Sequence, residues 1–426
     1  QGDDRLASSF VDTVNKYKPL LKKCIPAGIL RKSKKMMLDK ISRQIAQTEL
    51  EAYDPDRFEQ GINLIGPIDS ATGLGQSFRL VERVVRQTGE SYLIYNYQQN
   101  TRNRIDISKY QDKLQSELHY GINLWHVNPS EFAEAYAVMG KEAFDHHYNI
   151  AFWLWELEDF PDEWVPYIRL LDEIWTPSEF ISESIRKKTD KQVYTVPYYV
   201  TAETDIQKYD RAYFGLPDDK FLYLMMYDVQ SITERKNPEG VIQAFKQAFQ
   251  PDHDRAGLVI KLNSASDADI ARIRADIGAY ENVYLINRNM SKTEVNSLVA
   301  DVDVFVSLHR AEGFGLVLAE AMLNHVPTIA TNWSANTEFM NRECACMVDY
   351  KLVTLEKEIP PYHKGCRWAE PDLQEAADYM KRLEADPDYY RQISERAYAY
   401  LTEKLGIETI KELMMERIQN INHDRK

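Results

Sequence analysis

Short β-rich runs alternate with amphipathic helical stretches along this chain, and the alternation occurs as two successive series. The first series holds INLIGPI (62–68), SYLIYNY (91–97), INLWHV (122–127), YNIAFWLW (148–155), EIWTPS (173–178) and VYTVPYYV (193–200). Helical patterns such as QSFRLVERVVRQ (76–87) and ISESIRKKT (181–189) fall between them. The second series runs FLYLMMYDV (221–229), GLVIKLN (257–263), NVYLINRN (282–289), DVFVSLH (303–309), VPTIAT (326–331) and CACMVDY (344–350). PEGVIQAFKQAF (238–249), KTEVNSLVAD (292–301) and FGLVLAEAMLN (314–324) are its helices. Apolar strands linked by helices imply mostly parallel sheets covered on both faces. A length of 426 residues exceeds one ordinary core. The expected class is α/β, with two doubly wound Rossmann-like domains whose carboxyl strand ends face an interdomain cleft. The expected division is a basic helical extension (1–58), a first Rossmann-like domain (59–203), a second (204–405) and a last helix (406–426) packing back on the first domain. Polar residues 201–217 read as the linker.

Charge and cysteine usage narrow the function classes. The net charge of −14 argues against a general nucleic-acid binder. The first fifty residues oppose that trend, with eleven Lys/Arg against five acids, a net of +6 that leaves −20 for the rest. Ile29, Leu30, Met36, Met37, Ile41 and Ile45 are interleaved with those cations. Two readings stay open, a membrane-surface helix and a solvated helical extension. No run approaches the roughly 20 apolar residues a bilayer crossing needs. Cys24, Cys344, Cys346 and Cys366 have neither a disulfide framework nor zinc spacing, which points to a reducing compartment. The start at Gln1 suggests a piece of a longer polypeptide.

The stretch HRAEGFGLVLAEAM (309–322) concentrates the chemistry. It places a glycine loop at the carboxyl end of one strand and a helix directly after it. Gly313 and Gly315 allow a tight turn and close backbone approach to a ligand. The helix start is an anion site, because its first N–H groups lack intrahelical partners. Glu312 then lies beside that anion, and Glu320 lies further along the helix. Vicinal sugar hydroxyls suit both carboxylates, so one nucleotide sugar accounts for the pair. The plainer alternative is a glycine turn with a solvent-facing helical glutamate.

These residues resemble the retaining glycosyltransferases of family 4, of GT-B fold, from about Gly61 to the end of the chain. The most specific part is SLHRAEGFGLVLAEAM, with two glutamates separated by seven residues. The resemblance implies that Glu312 contacts the donor sugar near the reacting carbon and that Glu320 holds the ribose. Backbone amides around Gly313, Phe314, Gly315 and Leu316 would bind diphosphate or sugar. Contacts to the base would be largely backbone, around Asn287 to Met290, Arg288 included.

The remaining candidates are weighed residue by residue. In DVQSITERKNPEGVIQAF (228–245), Arg235 and Lys236 stand between strand and helix, where fixed cations could stabilise a leaving diphosphate. Lys261, near the end of the neighbouring strand, could join them. A solvated Arg-Lys loop is the alternative. The family uses an Arg/Lys pair here, though with a commoner Gly-Arg opening. DVD (301–303) precedes its strand, so no metal site is expected there. In IDSATGLGQSFR (68–79), Gly73 and Gly75 form a glycine loop that the resemblance turns toward donor phosphates or acceptor. The second strand ends in Tyr97-Gln98-Gln99-Asn100, with no acid to hold a dinucleotide ribose. His126 ends the third strand and should point into the cleft, or else is a packed structural histidine. Trp155 and Glu156 suit a sugar acceptor, with a core role for the tryptophan as the alternative.

The expected function is therefore a retaining, metal-independent hexosyltransferase. It would move sugar from a nucleotide diphosphate to a glycan or lipid-linked acceptor in bacterial surface polysaccharide synthesis, with no cofactor besides the donor. The expected location is the cytoplasm, or peripherally on the inner membrane face. Two rival classes are a nucleotide-sugar epimerase and a non-catalytic nucleotide-sugar-binding module of a larger polymer-synthesis protein.

Overall fold

The computed structural model describes residues 27–97, 104–201, 209–229 and 231–423. Cys24 and five of the eleven cations of the basic segment lie outside the described residues, as do residues 98–100 and part of the expected linker. The described chain forms two units. One comprises the residues up to Trp155, Asp159–Tyr199 and the stretch from Ile407 onward; the other comprises Glu156–Glu158 and Val200–Gly406.

The first unit contains α1 (Ala27–Gln47), β1 (Glu59–Gly66), α2 (Gly73–Thr88), β2 (Tyr92–Asn96), β3 (Tyr120–Trp125) and α3 (Pro129–Met139). These are followed by β4 (Tyr148–Phe152), β5 (Glu173–Thr176), α4 (Glu179–Arg186) and β6 (Gln192–Thr195). Its six strands pair in parallel in the order β2-β1-β3-β4-β5-β6. Register is fixed by polar as well as apolar side chains. Asn63, Asn123 and Asn149 face one another on β1, β3 and β4. Asn63 donates to Asn123 at 2.8 Å and Asn123 to Asn149 at 3.0 Å, so each buried amide finds a partner only in this alignment. Sequence order reverses between β1 and β3. The loop after β3, which holds His126, and the first turn of α2, which holds Gly73 and Gly75 where a glycine loop was expected, therefore flank the switch point of the sheet.

The second unit contains α5 (Arg211–Phe214), β7 (Phe221–Asp228), α6 (Thr233–Lys236), α7 (Pro238–Ala248), β8 (Ala256–Asn263), α8 (Asp267–Ile277) and β9 (Val283–Asn287). It continues with α9 (Lys292–Asp301), β10 (Val304–Ser307), α10 (Leu316–Leu323), β11 (Thr328–Thr331), β12 (Cys346–Val348), β13 (Tyr350–Thr354), β14 (Arg367–Pro371), α11 (Leu373–Ala385) and α12 (Pro387–Lys404). Six parallel strands run β12-β11-β10-β7-β8-β9, so the first strand of the unit lies beside the fourth. Tyr223, Met225, Leu258, Ile260, Val304, Val306 and Ile329 fill the buried core on this sheet. An antiparallel pair, β13 with β14, stands apart from the parallel sheet. The run 344–350 expected as one strand instead divides, with Cys346–Val348 joining the sheet and Tyr350 beginning the hairpin. Asp349, the charged residue of that run, sits where the partner changes.

Local sequence explains the helix ends. Thr72 caps α2 by accepting from the Gly75 amide, and Gly89 ends it in the left-handed conformation. Ser291 and Glu294 form a reciprocal capping box on α9. The final helix, α13 (Ile407–His423), is part of the first unit and packs on α2. Helix α1 also packs there, against α3, with Ile41 and Ile45 buried. No helix among the described residues is long and apolar enough to cross a membrane.

The junction of α13 with the sheet rests on Glu173, which is 1% exposed. Arg417 donates to its carboxylate at 2.6 Å, Tyr148 at 3.1 Å and Trp175 at 2.7 Å. Removing the guanidinium leaves a buried carboxylate with neutral donors alone. Arg417→Ala should therefore lower the unfolding free energy by about 3 kcal/mol. A urea transition unchanged from the parent would contradict this account of the junction.

Candidate active site

Two loops at the switch point of the second sheet carry the densest charge in that unit. One follows β7 and the other follows β10, the pair of strands between which sequence order reverses. The loops are stitched together by main chain, with the Arg310 amide donating to the Arg235 carbonyl at 2.7 Å. Asn237 adds a second tie. It adopts a left-handed conformation, caps α7 through the Gly240 amide and donates to the Leu308 carbonyl at 2.9 Å. That double use of one amide sets where α6 ends, and so where Arg235 and Lys236 point.

The structure brings Arg235, Lys236 and Glu312 into contact. Arg235 is 6% exposed; its Nη1 donates to the Ala311 carbonyl at 2.8 Å and lies 3.4 Å from the Glu312 carboxylate. Lys236 donates to the same Glu312 oxygen. The Glu312 amide is itself held, donating to the Ser334 hydroxyl at 2.9 Å. Behind the loop, buried His309 faces Asn336 Oδ1 at 3.0 Å through Nε2, and burial lowers its basicity. Burial opposes ionisation of Glu312, but Lys236 and Arg235 outweigh it and hold the carboxyl down at about 2. Burial also lowers the Lys236 ammonium, with Glu312 acting against that. An ionised carboxylate thus lies against two basic side chains.

Gly315 begins α10 in a left-handed conformation with φ of 96°, and no side chain caps the helix. A Cβ there would meet the Leu318 side chain at 3.1 Å, so glycine suits both conformation and packing. Uncapped N–H groups at the start of α10 beside two fixed cations make an anion-receiving arrangement. Phe314 is buried and lies 5.0 Å, centroid to centroid, from Phe339. Its ring therefore holds the glycine loop in place, with Gly313 and Leu316 on either side of the Phe314–Gly315 pair. Glu320 lies on α10 and pairs with Lys292 from the start of α9.

Other candidates have different surroundings. Lys261 is buried on β8 and donates to Asn263; burial pushes its ammonium down to about 8, against the pull of Asp228. Asn287 is exposed and bonds both ways to Ala265, while Arg288 pairs with Glu294 at 2.7 Å. Asp303 accepts from Arg211 and from the Leu222 amide, which makes it a brace for β7.

In the first unit, Gly75 lies against the Ser70 carbonyl, which a Cβ would approach to 2.2 Å, whereas Gly73 is open. His126 is fully buried, with Nε2 2.8 Å from the Ser77 hydroxyl and its ring between Phe78 and Phe152. Burial pushes it down to about 3, so it is neutral. Of the two readings open for His126, the packed one describes it, because Ser77, Phe78 and Phe152 enclose the ring. Trp155 is likewise 2% exposed, edge-on to Trp164 and donating to the Asp159 carbonyl at 2.9 Å. Glu156, clustered with the second unit, lies 3.7 Å from Arg235.

Sequence reading missed several contributors. Ser334, with φ of 74°, fixes the Glu312 amide. Lys292 pairs with Glu320, and Tyr362 at the turn of the β13–β14 hairpin bonds to Glu156. All three lie in segments far from the motif, with no local signature. A left-handed serine is the only one that leaves even a weak trace, in the Asn-Trp-Ser-Ala-Asn turn of 332–336.

Two Rossmann-like units, each built on six parallel strands, define the GT-B architecture. Residues 208–400 match the family model described as glycosyl transferases group 1. That match falls within the second unit and leaves the first uncovered. Among solved structures, HepE from Anabaena in complex with UDP and glucose aligns at 12% identity and TM-score 0.61, covering 85% of this chain and 100% of its own. Sucrose-phosphate synthase from Thermosynechococcus elongatus aligns at 15% identity and TM-score 0.61, covering 86% and 100%. TarM from S. aureus, in a complex containing UDP, aligns at 14% identity and TM-score 0.51 over 70% of this chain. The alignment spans only 55% of TarM. Identities this low establish the fold alone. No curated protein sequence matches.

The charge cluster has a pH signature. The Glu312 carboxyl is about 2 when folded and ~4.3 when unfolded. A depressed carboxyl stabilises the fold above its unfolded value and loses that contribution as pH falls toward its folded value. The stability gap between the parent and Glu312→Gln should therefore be full at pH 6 and shrink between about pH 4.3 and 2. Thermal scans showing a gap independent of pH would count against an ionised Glu312.

Proposed function

We propose that this chain is a retaining glycosyltransferase that moves a hexose from a nucleotide diphosphate sugar to a hydroxyl of a glycan or lipid-linked acceptor. The observation that carries the reading is the Arg235–Lys236–Glu312 cluster beside the uncapped start of α10. Support for a uridine diphosphate donor comes from HepE and TarM, whose structures contain UDP. The group 1 match supports glycosyl transfer as the reaction.

In this reading the donor's diphosphate meets Arg235, Lys236 and the amides of Phe314, Gly315 and Leu316. The bond from the anomeric carbon to the phosphate oxygen breaks, and its electron pair leaves with the diphosphate. The acceptor oxygen bonds to the same face of that carbon, and its proton passes to the departing phosphate oxygen. Fixed cations and oriented amides need no reorganisation as negative charge builds, so they stabilise the departing group more than the bound donor. This is the charge-neutralising task that a metal performs in other transferases, and here Arg235 and Lys236 perform it. Glu312 orients the donor sugar, and its charge favours an electron-poor anomeric carbon. Glu320 receives the ribose hydroxyls. His126, neutral and packed, shapes the first unit's glycine loop through Ser77, and no proton transfer is assigned to it.

A role in bacterial surface polysaccharide synthesis, at the inner face of the membrane through the basic segment, belongs to the same proposal. The mixture of cations with Met36 and Met37 in that segment supports it, Met36 being exposed. An epimerase would act on donor without acceptor, and a binding module would do neither reaction.

A UDP-sugar panel screened by thermal shift, followed by product analysis with and without a saccharide acceptor, tests the reading. Arg235→Ala should lower transfer at least ~100-fold, the scale of losing a fixed charge-stabilising group, with the fold retained. Unchanged turnover in that variant would remove Arg235 from the reaction. Sugar isomerised with donor alone would establish the epimerase instead.

A further inference from the structure

A second carboxylate stands on the other side of Arg235. Glu156 Oε1 lies 3.7 Å from Nη2, while Glu312 Oε1 lies 3.4 Å from Nη1. The buried Tyr362 hydroxyl bonds to Glu156, and the next carboxylate along the chain, Glu158, pairs with Arg367 at 2.8 Å. Tyr362 and Arg367 both belong to the β13–β14 hairpin and its turn. That hairpin is fastened to the Glu312 loop in its own right. Arg310 grips Glu370 with two bonds of 2.7 and 2.9 Å, and the Ala369 amide donates to the Arg310 carbonyl at 2.9 Å. Glu156 is therefore held in place from a braced element.

Charge counting gives this placement its meaning. Arg235 and Lys236 carry two positive charges, and Glu312 and Glu156 carry two negative ones. A diphosphate cannot meet the free face of Arg235 while a carboxylate lies against it, because like charges at such range repel strongly in a desolvated site.

We propose that Glu156 is a built-in counter-anion of the anion site, a positioning residue that holds Arg235 and that the donor's diphosphate displaces on binding. The inference rests on the reading of Arg235 as a diphosphate-binding cation. It gives Glu156 a role on the donor side in place of an acceptor contact. Tyr362 sets how firmly the counter-anion is held. Because Glu156 competes for the same guanidinium, its charge weakens diphosphate binding while it keeps the guanidinium oriented.

Isothermal titration calorimetry of the full chain with inorganic pyrophosphate tests this, with thermal scans confirming that each variant folds. Glu156→Gln keeps shape and removes charge, so it should bind pyrophosphate ~10-fold more tightly, most of the direct repulsion being offset by rearrangement and solvent. Glu156→Asp, which restores the charge, should return affinity toward that of the parent. Glu158→Gln, which removes a neighbouring charge that does not touch Arg235, should leave affinity unchanged. Tyr362→Phe should tighten binding by less than Glu156→Gln does. Equal or weaker binding by Glu156→Gln overturns the proposal, and so does equal tightening by Glu158→Gln, which would reveal only a general charge effect. Arg235→Ala separates the layers. If it abolishes binding while Glu156→Gln changes nothing, the counter-anion fails and the diphosphate site stands. If the parent does not bind pyrophosphate, or Arg235→Ala binds as the parent does, both readings fall.

Discussion

The second unit is organised around one electrostatic requirement, that two adjacent cations be held desolvated and close together. Arg235 and Lys236 repel each other, and burial makes each more costly. Glu312 resolves this by lying against both, and the same contact fixes the loop after β10 to the loop after β7. Much nearby detail serves that contact. Asn237 ends α6 so that the cations project together, Ser334 fixes the Glu312 amide, and the Arg310 backbone joins the loops. A purely apolar packing of these loops would be simpler to stabilise. Its replacement by ionised groups at the sheet's switch point is the physical reason to treat this place as functional.

How far the sequence led depends on the range of the interaction concerned. The alternation of β-rich and helical runs identified two parallel α/β units, because parallel strands buried on both faces must be apolar throughout. It did not reveal where strands stop. The run 303–309 contributes only Val304–Ser307 to the sheet, since His309 leaves it to bond Asn336. The β13–β14 hairpin was invisible for a related reason: strand polarity follows from pairing partners, which lie outside the window that shows periodicity. The glycine loop and the positions of Arg235, Lys236 and Glu312 were readable, because each sits at a strand-to-helix junction marked by Gly or Pro. Their mutual contact was not, as it spans 76 residues of sequence.

Histidine and tryptophan show the converse limit. His126 and Trp155 both follow strands, and position alone left a ligand-facing and a packed side chain open for each. Their burial is set by neighbours contributed from elsewhere in the chain, Phe78 and Phe152 for one and Trp164 for the other. An aromatic or imidazole ring at a strand end carries no mark of which outcome applies. Charged groups are more informative, because a buried Arg or Glu demands a partner and a hydrophobic ring does not.

That asymmetry bears on how the site can be tuned. The cations at the switch point stay nearly fixed by backbone ties, whereas the anions that face them come from separate elements with separate supports. Glu312 is carried by the glycine loop, and Glu156 is held through the β13–β14 hairpin. Changing Tyr362 at its turn can therefore alter how much positive charge Arg235 offers an incoming anion, while Glu370 and Ala369 keep the hairpin tied to the Glu312 loop. A hairpin built outside the main sheet suits this task, since its substitutions do not disturb strand register in the core beneath.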